Sequence, residues 1–136
     1  MPGPLTETQW RTLLSFRIAL RGFMSWSEAQ AAAVGLTAAQ HQLLVAIRGH
    51  PGKDDPTISD LAGYLFVRHH SAIGLVDRAE ALDLIRRYRD PDDQRLVRVA
   101  LTPLGHERVE ALASAHLEEL KRLAPLLDAL VGVATE

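Results

Sequence analysis

The sequence predicts a mainly α-helical fold with one small β-hairpin, in which long helices at the two ends of the chain flank a central helical lobe. Three observations carry that expectation. Helix-start signals recur at Thr6, Thr37, Thr57 and Thr102, each a threonine whose hydroxyl can accept from a first-turn amide. Apolar residues recur at helical spacing before and after the centre of the chain. Between Leu84 and Leu101 the period shortens to two, in runs separated by Asp90-Pro91-Asp92-Asp93-Gln94.

Taken in order, Thr6 and Gln9 form a capping box, with Leu5 and Trp10 spaced for a hydrophobic staple. Leu13, Leu14, Ile18, Leu20, Phe23 and Met24 continue an apolar face until Val34, and Gly35 stops the helix. Thr37 and Gln40 repeat the box. Leu43, Leu44 and Ile47 supply that helix's buried stripe, and Gly49-His50-Pro51-Gly52 ends it. Thr57 opens a short helix with Ile58, Leu61, Ala62 and Leu65 inward. A further helix from about Arg68 to Leu82 buries Ile73, Val76 and Ala79. Leu84–Arg89 and Leu96–Leu101 then read as strands, with Val97, Val99 and Leu101 on one side and Arg98 on the other. The turn between them has a mechanism: Pro91 fixes φ and the aspartates bond local amides. Thr102-Pro103 starts a last helix through Val109, Leu112, Leu117, Leu120 and Leu123; Pro125 is expected to interrupt or restart it before Leu126, Leu127, Leu130 and Val131.

Composition narrows the function classes. With 136 residues, 47% hydrophobic and 24% charged, the chain suits one compact domain. Having no cysteine, it offers no disulfide, thiol nucleophile, iron–sulfur ligand or thiol switch. No apolar run spans a membrane, and the N-terminus lacks the regions of a signal peptide, so a soluble cytoplasmic protein without a membrane partner is expected. Net charge is only −2, so any nucleic-acid reading rests on local segregation of charge. That segregation is present: Arg86, Arg87, Arg89, Arg95 and Arg98 lie close together against Asp90, Asp92 and Asp93.

Three short helices followed by a hairpin are the order of a winged helix-turn-helix. A helix of that width fits the major groove of B-DNA, and a hairpin tip can reach the backbone or the minor groove. The candidate recognition helix opens with Arg68, His69, His70 and Ser71, with Gly74 and Arg78 further along. The hairpin carries Arg87 and Arg89 on one arm and Asp93, Gln94 and Arg95 at its tip.

The segments Gly35–Leu44, Ile58–Ala62, His69–Arg78, Leu84–Arg87, Asp90–Arg95 and Val99–Gly105 together resemble the multiple-antibiotic-resistance regulator (MarR) family. The Asp-Pro-Asp-Asp-Gln-Arg wing and the Leu-Thr-Pro-Leu-Gly helix start are the most specific parts. The resemblance implies one domain over 1–136, with dimerisation helices at 5–34 and 103–136 and a winged lobe at 36–101. It implies a homodimer with two winged lobes on one face of double-stranded DNA, Arg95 entering the minor groove, Asp93 orienting the wing, and 68–74 reading the major groove. Two positions depart from the family pattern: Ala79 replaces a larger leucine, and Asp83 stands where a glycine commonly ends the recognition helix.

Other readings are kept beside this one. His69 and His70, adjacent on a helix, point about 100° apart and are poorly placed to chelate one ion; no metal and no cofactor are expected. The hairpin arginines and aspartates can also pair among themselves as a solvated surface. No nucleophile elbow, phosphate-binding glycine loop or zinc spacing appears, so an enzyme is not expected. The function expected is a sequence-specific transcriptional regulator, a homodimeric repressor of a pseudo-palindromic operator released by a small-molecule effector. Trp10, Trp26 and His41 are candidate effector contacts. The alternative is a helical protein-interaction module that keeps the winged fold without binding DNA.

Overall fold

The computed structural model describes residues 3–134; Met1, Pro2, Thr135 and Glu136 lie outside them, as do the side chains of Leu130, Val131, Val133 and Ala134. Helices α1 (Glu7–Ala33), α2 (Ala38–Arg48), α3 (Ile58–Leu65) and α4 (His69–Ala81) are followed by strands β1 (Ile85–Arg89) and β2 (Val97–Leu101) and by helix α5 (Pro103–Ala134). The strands pair antiparallel, with Ile85 opposite Leu101, Arg87 opposite Val99 and Arg89 opposite Val97. The expected elements form within a residue or so of their expected ends. Pro125 is the exception: α5 runs through it. Proline removes one i→i−4 bond, and here the helix continues without that bond.

The chain divides into two compact units, one made of 1–30 with 113–136 and the other of 31–112. The second unit takes the last turn of α1, the first ten residues of α5 and everything between. Its core is assembled from the helical stripes and the inward residues of the hairpin. Leu43, Leu44, Leu61, Val76, Ile85 and Val99 are fully buried, joined by Ala31, Leu36, Ile58, Ala72, Ala79, Val109 and Leu112. Burying a leucine, valine or isoleucine contributes roughly 1.5–3 kcal/mol, so this cluster fixes the placement of α3, α4 and the strands. In the other unit, Leu14, Ile18 and Met24 of α1 and Leu117, Leu120 and Leu127 of α5 remain exposed.

Local chemistry sets the helix ends. Capping boxes form at Thr6–Gln9, Thr37–Gln40 and Thr57–Asp60. Thr102 accepts from the Gly105 amide and opens α5. Leu5 and Trp10, the expected staple, are both exposed. Three helices close with one motif: Leu36 N–H bonds Ala31 O, Val67 N–H bonds Ala62 O, and Leu84 N–H bonds Ala79 O, at 2.9, 3.1 and 3.0 Å. Each needs a left-handed residue one position earlier. Gly35 (φ 79°), Phe66 (φ 54°) and Asp83 (φ 62°) fill those positions. Asp83 thus adopts the conformation that its place in the sequence demands.

Candidate nucleic-acid interface

Helix α4 differs from the others at its start. Its N-cap, Arg68, has extended backbone (φ −70°, ψ 156°) and makes no side-chain cap bond, whereas the other four helices begin on a bonded threonine. The first-turn amides of α4 therefore lack the internal acceptor that the others have, which leaves them for an external anion. Arg68, His69 and His70 are exposed around this end, and Ser71 is half-buried. Among the described residues, neither Arg68 nor Arg78 is in an ion pair. Gly74 faces the Arg78 guanidinium, where an added Cβ would lie 3.4 Å from a terminal nitrogen.

The hairpin is organised by Asp90, whose side chain is only 10% exposed. One carboxylate oxygen accepts from the amides of Asp92 and Asp93, both at 2.8 Å, and the other from the Arg98 Nε. Arg98 also donates to the Asp55 carbonyl at 2.7 Å, and the Tyr88 hydroxyl donates to the Asp55 carboxylate. These bonds, with Val99 N–H to Pro56 O at 2.9 Å, fasten the hairpin to the loop before α3. At the tip, Asp93 grips Arg95 through the Arg95 amide, Nε and a terminal nitrogen, at 3.1, 3.0 and 3.0 Å. The Arg95 side chain is nevertheless 89% exposed. Asp93 orients this guanidinium without hiding it.

The remaining hairpin residues divide by role. Arg87 is bound to Glu80 through Nε and a terminal nitrogen at 3.2 and 2.8 Å, and to Asp77 at 2.6 Å. Its backbone amide also donates to Glu80 at 2.9 Å, so Arg87 ties β1 to α4. Arg89 donates to the Gln94 carbonyl at 2.8 Å, and the Gln94 amide reaches the Asp90 carbonyl at 3.3 Å. Arg86 lies 5.4 Å from the centre of the Tyr88 ring. At the start of α4 and the hairpin tip, the outward cations are thus Arg68 and Arg95, with Arg78 further along the helix. Sequence reasoning missed Glu80, Asp77, Asp55 and Tyr88 as the groups that engage the hairpin arginines.

Arg98, followed by the amides of Asp92 and Asp93, holds the Asp90 carboxyl below the ordinary carboxylate range; Arg95 does the same to Asp93. A carboxyl depressed in the folded state stabilises it above the unfolded pKa and loses that contribution as pH falls through the folded value. The hairpin should therefore hold its stability near neutrality and lose it below about pH 4. Amide chemical shifts of residues 90–98 followed through an acid titration will read this. A tip unchanged down to pH 2 would contradict it.

The effector candidates fall in different surroundings. Trp26 stacks near Phe23 and His116, with ring centres 6.1 and 4.8 Å away. The Ser27 hydroxyl lies 2.7 Å from the His116 ring nitrogen Nε2. Trp10 is exposed, and His41 is buried in the lobe. An open cleft of about 320 Å³ in the lobe is lined by His50, Asp54, Asp55 and neighbours, and by none of these three. Among the described residues no cluster has a metal-binding arrangement, and no helix is long and apolar enough to cross a membrane.

A three-helix lobe closed by a two-stranded hairpin is a winged helix-turn-helix domain. Residues 34–96 match the model of the MarR family. The HTH-type transcriptional regulator YsmB of Bacillus subtilis is 31% identical over 67 residues, 49% of this chain and 46% of YsmB. The chain thus matches about half the length of that curated relative. Among solved structures, AbsC, a MarR family transcriptional regulator from Streptomyces coelicolor, is 26% identical with a TM-score of 0.71, over 98% of this chain and 97% of AbsC. A mutant of Staphylococcus aureus MepR bound to an oligodeoxyribonucleotide is 25% identical with a TM-score of 0.66, over 82% and 80% of the two chains.

Proposed function

We propose that this protein is a DNA-binding transcriptional regulator that acts as a homodimer in the cytoplasm and is not an enzyme. The observation that carries the reading is the start of α4, uncapped and surrounded by exposed Arg68, His69 and His70. An uncapped helix end with cations about it suits a phosphate, and its first side chains suit base edges in a major groove. The hairpin adds Arg95 for the minor groove, held by Asp93. The likeness to AbsC, a transcriptional regulator, and to a MepR mutant bound to an oligodeoxyribonucleotide supports the same assignment over an interaction module without DNA.

The dimer is supported by the exposed apolar residues of α1 and α5, including Leu14, Ile18, Met24 and Leu117. Two-fold symmetry would pair two recognition helices with half-sites about 34–36 Å apart. A small molecule that prefers one dimer geometry would shift the population that fits those half-sites, which makes a repressor released by an effector the working model.

The test is a titration of the purified protein against duplex DNA flanking its own gene, at several salt concentrations. Binding should be tighter than to a scrambled duplex and should weaken steeply as salt rises, because phosphate contacts release counterions. Equal affinity for both duplexes would remove the sequence-specific reading.

A further inference from the structure

Phe66 stands out from every other residue of the lobe. It closes α3 in a left-handed conformation (φ 54°, ψ 43°) that aromatic side chains rarely adopt, and it is 96% exposed. Left-handed backbone is unfavourable for a residue with a Cβ, and glycine or asparagine would relieve it. An apolar ring in water gains nothing from the fold in return. The strain is therefore borne for something outside the monomer's core.

The position indicates what that is. Phe66 lies two residues before Arg68, the cap of α4, so its Cα is within roughly 7 Å of that of Arg68. Exposed Val67, Arg68, His69 and His70 follow it directly. When the start of a recognition helix enters a groove, the turn just ahead of it meets the groove wall. That wall presents the apolar faces of deoxyriboses between phosphates. We infer that the Phe66 ring packs on the sugar–phosphate wall of duplex DNA and supplies an uncharged contact beside the cationic ones. This inference rests on the DNA-binding reading above. Glycine at this position would keep the turn and lose the contact.

Phe66→Gly and Phe66→Asn, with Phe66→Tyr as the conservative variant, test it on the full chain. The Gly and Asn variants should bind both the flanking duplex and a random duplex about tenfold more weakly. The slope of log affinity against log salt should not change, because no phosphate contact is lost. Phe66→Tyr should bind as the parent does, and the melting temperature of the Gly variant should equal or exceed that of the parent. Parent-like affinity in the Gly and Asn variants would overturn the inference while leaving DNA binding standing. A lower melting temperature in Phe66→Gly would also overturn it, by assigning the ring to the fold. If the parent itself binds neither duplex, the DNA-binding reading fails first and the inference falls with it.

Discussion

Replacing Arg95 by alanine should lower affinity for the flanking duplex at least tenfold near physiological salt, with the dimer intact. Part of that loss is the guanidinium itself, worth about one unit of salt slope if it displaces one counterion. Part is what remains behind. Asp93 accepts two bonds from the Arg95 guanidinium, and without them its carboxylate keeps only the backbone amide of residue 95 and stands as an uncompensated negative charge at the hairpin tip. The double variant Asp93→Ala/Arg95→Ala separates the two and should bind better than Arg95→Ala alone. Folding should hardly notice, since the side chain is 89% exposed and surface changes stay within about 0.5 kcal/mol. Equilibrium binding with sedimentation on the same samples will decide. Unchanged affinity would take the hairpin tip out of the interface.

The largest stability effect is expected at Gly105, where Gly105→Ala should cost about 3 kcal/mol or more. An added Cβ would lie 2.0 Å from the Leu84 carbonyl oxygen and 3.0 Å from its carbon. Neither side can give way easily. The Leu84 carbonyl accepts from Thr102 N–H at 3.1 Å, and Leu84 N–H closes α4 on Ala79. Thr102, itself buried, bonds the Asp83 carbonyl and the Gly105 amide. The end of α4, the approach to β1 and the first turn of α5 thus meet at one backbone contact that leaves no room for a methyl group. Denaturant unfolding monitored by circular dichroism would show a lower midpoint. A midpoint equal to the parent's would mean that α5 starts far enough from the Leu84 carbonyl to admit a methyl group.

What the sequence made legible is what local chemistry decides. The threonine boxes span three residues, so Thr6–Gln9 and Thr37–Gln40 can be read from the chain alone, and each forms. The period-two alternation around Val97 and Val99 likewise points Val99 into the core, although the opposite side is covered too, at Arg98 and Ala100. The roles of Arg87 and Arg98 were not legible in this way. An arginine on a strand near an acidic turn looks the same whether it faces phosphate or closes an ion pair. The Arg87 partners, Asp77 and Glu80, lie on the preceding helix, and the Arg98 contact at Asp55 is 43 residues away. Phe66 was hidden for another reason: a left-handed helix end is usually announced by glycine, and here no glycine stands there. Gly105 could be placed in a motif, but its need for close approach depends on a carbonyl about twenty residues earlier.

The bonds from Arg98 to Asp55 and from Val99 to Pro56 also bear on the order of events in time. Contacts among α2, α3 and α4, and between β1 and β2, join neighbours in the chain, whereas these two bonds close a loop of roughly forty residues. Closing such a loop takes conformational entropy before any contact rewards it, so local contacts form first and distant ones follow. The hairpin should then form early as a free ribbon and be seated late, once the three-helix body exists to receive it. The same logic makes its seat the first to open when the folded lobe fluctuates, leaving a tip that can adjust to a groove while the helices beneath stay rigid.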